Sequence, residues 1–158
     1  MLNTVLNILG GIIGGIVGWW VSWADRIAYV YILHPEAQVS QYVKFQIGQK
    51  QWRKAWEVIK TRGGEMTKLT TRSVLFQLAW VVLGFFAVTS VGSWFGKILV
   101  MAVGARILGE EWREYLKDRQ LLKQRLFWQI KREISEAELK GYLIIMTVIF
   151  AWLLRMLI

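Results

Sequence analysis

Leu2-Asn3-Thr4-Val5-Leu6-Asn7-Ile8-Leu9-Gly10-Gly11-Ile12-Ile13-Gly14-Gly15-Ile16-Val17-Gly18-Trp19-Trp20-Val21-Ser22-Trp23-Ala24 contains no charged side chain. As a helix at about 1.5 Å per residue, a run of this length reaches about 35 Å and exceeds the roughly 30 Å hydrocarbon layer of a bilayer. Gly10, Gly14 and Gly18 recur at four-residue spacing and form one stripe; Gly11 and Gly15 widen it. Lipid tails are as apolar as Leu, so burial from water does not drive helices together there. Small residues let backbones approach until van der Waals contact holds them. The stripe predicts tight helix packing, first of all between subunits of a homo-oligomer, with packing on the chain's own helices as the alternative. A pore lined by glycine is less suited, because bare backbone in an uncharged segment supplies no selectivity element.

The 158-residue chain as a whole fits this reading, being 55% hydrophobic with mean hydropathy +0.37. Soluble domains run nearer 45–50% apolar. The absence of cysteine excludes disulfides and thiolate metal sites. There are ten tryptophans, and Trp favours the membrane–water boundary, where one end of the ring stays wet. Ser22-Trp23-Ala24 loosely resembles a small-x-small cleavage site, but no basic region precedes the apolar run. The segment is therefore read as a retained anchor rather than a signal peptide.

The first span is placed at about 2–24, with Trp19, Trp20 and Trp23 as an interfacial girdle and Asp25 and Arg26 at its end. A span shifted to Ile12–Leu33 would put both charges at mid-membrane, at a cost of a few kcal/mol each. His34-Pro35-Glu36 breaks the pattern, and a basic, aromatic segment follows over about 35–62. Within it Val39, Tyr42, Val43, Gln46 and Ile47 make one partial face, and Trp52, Trp56 and Ile59 another after Gly48. Gly63-Gly64 signals a stop.

Residues 73–96 are again uncharged. The stretch 73–105 makes about 50 Å of helix, too long for a simple span. Split at Ser90-Val91-Gly92-Ser93 it becomes a tight hairpin with spans at about 74–91 and 94–108, Lys97 snorkelling at the turn. A re-entrant hairpin is the alternative. Gly92, Gly96 and Gly104 share a face and extend the small-residue packing surface. A charged amphipathic helix is expected over about 110–134, with Tyr115, Leu116, Leu122, Leu126, Ile130 and Ile134 at helical spacing. Ser135-x-x-Glu138 is a capping box that starts a last span, about 139–158.

The formal charge is +9. Residues 34–73 hold eight cations against three acids, and residues 106–140 nine against seven, whereas the Val91–Phe95 turn and the N-terminal run hold none. The positive-inside rule then puts both basic segments in the cytoplasm and both termini outside the plasma (inner) membrane. The fold expected is all-α and polytopic: four transmembrane helices in a single membrane domain over 1–158, two of them a tight hairpin, plus cytoplasmic amphipathic helices.

Candidate sites follow from this frame. Gly10, Gly11, Gly14, Gly15, Gly18, Gly92 and Gly96 are assigned to oligomer packing. Asp25 and Arg26 form either a possible ion pathway or a helix-end anchor. Lys50, Trp52, Arg53, Lys54 and Trp56 are assigned to lipid headgroups of the anionic inner leaflet or to a cytoplasmic protein partner; nucleic acid is the least favoured ligand. His34 beside Glu36 reads as a solvated loop pair. No Ser/His/Asp set, paired carboxylate or HExxH is present, and Gly63-Gly64 lacks a following Lys-Ser/Thr. Glu110, Glu111 and Glu114 lack histidines to complete a metal site. No catalytic residue, cofactor or metal is expected. The leading functional expectation is a homo-oligomeric channel. The alternative is a membrane scaffold or accessory subunit whose basic helices bind anionic lipid or a partner.

Overall fold

The computed structural model describes residues 2–62, 66 and 69–157, leaving aside the side chains of residues 2–4 and 22; Gly63-Gly64 and Lys68 lie outside the described residues. The described residues fold without a strand into α1 (Leu2–Ala28, continued by a π-helical turn Tyr29–Leu33), α2 (Gln38–Gly48), α3 (Trp52–Thr61), a 3₁₀ turn (Thr70–Arg72), α4 (Val74–Thr89), α5 (Trp94–Lys117), α6 (Arg119–Leu126) and α7 (Glu136–Leu157).

Two helical stretches, Val5–Leu33 and Glu136–Leu157, are long and apolar enough to cross a membrane. Only 18% and 22% of their apolar windows is buried, unlike the core helix of a soluble domain. Ile8, Ile12 and Ile16 of α1, Leu83 and Phe86 of α4, and Ile145 and Val148 of α7 are all more than half exposed. Such a belt of exposed apolar side chains marks an interaction surface. The four-span expectation goes further than these two helices: α4 has only 16 residues, and α5 turns from apolar to charged halfway along.

The hairpin forms where it is expected. Ser73 caps α4 by accepting from the Phe76 amide at 3.2 Å, and the chain reverses between Thr89 and Trp94. Lys97 curls back to donate to the Val88 carbonyl at 3.4 Å, so its charge meets the orphan acceptors at the end of α4. Ser135 and Glu138 close the capping box reciprocally, with bonds of 2.9 and 3.2 Å. The charged segment 110–134 differs from expectation. α5 runs unbroken from Trp94 through Lys117, so no boundary falls between 108 and 110. Asp118 then adopts extended backbone and caps α6 by accepting from the Leu121 amide at 3.0 Å, ending one helix to begin another. Residues 127–135 are not helical although Ile130 and Ile134 continue the four-residue spacing: Leu122 and Leu126 are buried, whereas Ile130 is exposed.

Three cores result. Tyr29, Val30, Val39, Val43, Ala55 and Ile59 join Met66 and Leu69 in a small lobe that wraps the end of α1 with α2 and α3. Trp80, Met101, Ile107, Met146 and Leu153 tie α4, α5 and α7 together. Leu122 and Leu126 of α6 pack on Leu139 and Leu143 of α7. Gly104 matters to the second core: a Cβ there would overlap the Trp80 ring. Its absence makes room for the indole, whose Nε1 donates to the Val100 carbonyl at 2.8 Å.

Candidate functional site

The glycine stripe packs within the chain. Gly10, Gly14 and Gly18 face α5: a Cβ on Gly14 would overlap the Phe95 carbonyl oxygen, and one on Gly18 would fall 2.5 Å from the Leu99 oxygen and 2.9 Å from the Ala102 methyl. This row therefore packs on the chain's own α5, the alternative to packing between subunits. The neighbouring row is more open. Gly11 and Gly15 meet only Ile98 side-chain atoms, and with Ile8, Ile12 and Trp94 they border an apolar groove of about 720 Å³. Gly92 meets only the Ser90 hydroxyl, and Gly96 meets nothing within 4 Å, so neither packs against another helix.

Asp25 and Arg26 both have local partners. Asp25 is buried, and its Oδ2 accepts from the Thr71 amide at 3.1 Å and the Thr71 hydroxyl at 2.7 Å. It thus pins the 3₁₀ turn to the end of the uncharged run. Arg26 lies 4.8 Å above the Trp23 ring and donates to the Ile59 carbonyl at 3.4 Å, joining α1 to the last turn of α3.

The turn pinned by Asp25 delivers Arg72 into α5. Arg72 pairs with Glu110 and, at 2.5 Å, with Glu114. Arg106 reaches Glu110 at 2.5 Å, and Arg125 reaches Glu114. Three arginines thus converge on two carboxylates that the sequence alone sets as a repulsive i, i+4 pair. A second polar chain runs beside them: the Tyr142 hydroxyl donates to Gln77 Oε1 at 2.7 Å, and Gln77 Nε2 donates to Glu111. Glu111 is only 2% exposed and its Oε2 has no hydrogen-bond partner among the described residues. Burial pushes its carboxyl up to about 8, against the opposing pull of the Gln77 hydrogen bond and the Arg72 charge. Sequence reasoning missed Arg72, Gln77 and Tyr142. The one available signal was three acids in five residues of an otherwise apolar-faced helix, which require cations from elsewhere.

The basic aromatic segment stands at the rim of the lobe. On α3, Ala55 and Ile59 point inward, whereas Trp52, Arg53 and Lys54 are exposed. Trp56 stacks on Trp23 with ring centroids 4.6 Å apart, at the level where the uncharged part of α1 ends. Lys50, in the α2–α3 turn, is also exposed and has a φ of 57°. The turn thus presents a cation immediately before the Trp52-Arg53-Lys54 face.

Comparison with known proteins finds no matching family model, no similar curated protein and no similar solved structure.

Proposed function

We propose that this chain is an integral membrane scaffold or accessory subunit, and that the lobe holds α3 on the anionic inner leaflet. In this reading α4 and the apolar half of α5 complete four crossings, both termini lie outside, and the lobe and α6 are cytoplasmic. The carrying observation is the join between Trp56 and Trp23. It fixes a helix with outward-facing Trp52, Arg53 and Lys54 at the foot of an apolar helix, the arrangement that suits indoles at the headgroup boundary and cations on phosphates. Each such cation contributes about 1 kcal/mol at an anionic surface. The channel expected from the stripe has less footing, because Gly10, Gly14 and Gly18 already face α5.

The chain has no cysteine, so Gln51→Cys gives a unique spin-label position beside α3. In phosphatidylglycerol bilayers the label should collide with lipid-soluble oxygen more than with an aqueous nickel chelate. Adding Lys50→Glu, Arg53→Glu and Lys54→Glu should return it to water. A label equally wet in phosphatidylglycerol and phosphatidylcholine would refute the reading.

A further inference from the structure

A polar cavity of about 410 Å³ opens where α1, α3, α5 and α6 meet. Four cations reach it, one from each helix: Arg26, Lys60, Lys117 and Arg125. Two carboxylates, Glu114 and Asp118, oppose them, and both are engaged. Glu114 sits between Arg72 and Arg125, and Asp118 caps α6. Lys60 and Lys117 have no ion pair or hydrogen bond among the described residues. The cavity lining thus carries an excess of positive charge. Folding brings these cations together from distant parts of the chain, against their mutual repulsion. Lys60 and Lys117 are exposed, and an anion held between them offsets that repulsion.

We infer that this cavity binds a phosphoryl group. Two ammonium groups act as point charges beside the Arg26 guanidinium, while Arg125 stays paired with Glu114. A tetrahedral anion accepts from several directions at once, and a single carboxylate does not. The volume lies in the range of small-ligand sites and holds a phosphate ester with a short polar substituent. The cavity shares Arg26 with the Trp23–Trp56 join. A lipid headgroup can therefore supply the phosphoryl group from the adjoining leaflet, as can a soluble phosphate ester. The lipid source rests on the membrane placement of α3 proposed above; the site itself does not.

The full chain in detergent is titrated with glycerol 3-phosphate by calorimetry, and in nanodiscs its retained phosphatidylglycerol and phosphatidylcholine are counted by native mass spectrometry. Lys60→Glu with Lys117→Glu should weaken the preferred probe by about tenfold or more. The milder pair Lys60→Gln with Lys117→Gln guards against misfolding and should weaken it by at least about threefold. Lys131→Glu, exposed in the α6–α7 connection and away from the cavity, should leave binding within about twofold of the parent. Selective retention of phosphatidylglycerol without glycerol 3-phosphate binding assigns a lipid headgroup. Glycerol 3-phosphate binding without lipid selectivity assigns a soluble ester. Absence of saturable binding of either probe, or binding indifferent to both Lys60/Lys117 pairs, overturns the inference. Loss of the Gln51→Cys depth signal with intact cavity binding would refute the placement of α3 and leave the site standing.

Discussion

Gly14 of α1 rests against the carbonyl of Phe95 so closely that a methyl group on its Cα would overlap the oxygen. This contact, repeated one turn later between Gly18 and Leu99, sets the distance between α1 and α5. Gly14→Val or Gly18→Val should therefore cost about 1–3 kcal/mol through overpacking, because the obstacle is backbone and cannot swing aside. Gly96→Ala, which meets open space, should be neutral or gain up to about 1 kcal/mol from helix propensity. Melting temperatures of the purified variants in one detergent test the contrast. Equal tolerance at Gly14 and Gly96 would mean that α1 and α5 do not pack this way.

Arg72 compensates two carboxylates at once, and all three side chains are no more than about a fifth exposed. Arg72→Met should destabilise the fold by about 1.5–3 kcal/mol by removing charge-assisted hydrogen bonds from both carboxylates, each of which keeps one arginine. Arg72→Lys should recover only part of this, since one ammonium cannot span Glu110 and Glu114 as the guanidinium fork does. Replacing Glu110 and Glu114 together by Gln in the Arg72→Met background should deepen the loss, because Arg106 and the buried Arg125 then lose their carboxylates. Chemical denaturation in detergent reads all three.

Glu111 makes stability depend on pH with a definite sign. Its carboxyl titrates near 8 in the folded chain, against 4.5 as its ordinary value. Between those values the folded state holds a proton that the unfolded state has lost, so stability falls as pH rises. The contribution is complete below about 4.5 and lost above about 8, with a slope of at most about 1.4 kcal/mol per unit. Glu111→Gln keeps the amide partner, removes the titration, and should flatten the profile from pH 5 to 8. A parent protein whose melting temperature does not fall over that window contradicts a neutral, buried Glu111.

Asp25 holds the 3₁₀ turn through both the amide and the hydroxyl of Thr71. Asp25→Ala should cost about 1.5–3 kcal/mol, the usual range for hydrogen bonds to a charged group. It should also speed hydrogen exchange at the Thr71 amide. Thr71→Val removes one of the two bonds and should cost less. Exchange at Thr71 that ignores Asp25→Ala would show that the turn is held by other contacts.

Much of this architecture is legible along the chain because local chemistry decides it. The reversal at Ser90–Ser93 and the capping box at Ser135–Glu138 need only neighbours within four residues. The break at Asp118 was legible too, as an Asp ahead of a basic run, but the recurring Leu spacing on both sides masked it. The glycine stripe was readable as a packing face but not as to its partner. A small-residue row fits any backbone of suitable shape, and only the position of α5 shows that Phe95 and Leu99 occupy it. The roles of Arg72, Gln77 and Tyr142 were not legible, because their partners lie 34 or more residues away.

By itself, then, the amino-acid order determined which stretches avoid water, where helices start and stop, and where cations accumulate, since each depends on a residue and its near neighbours. Tertiary structure alone decided that Gly14 meets Phe95, that Arg72 neutralises Glu110 and Glu114, and that Lys60 and Lys117 face one cavity. Such long-range pairings are set by how whole helices close-pack, and helix periodicity is silent about which face finds which.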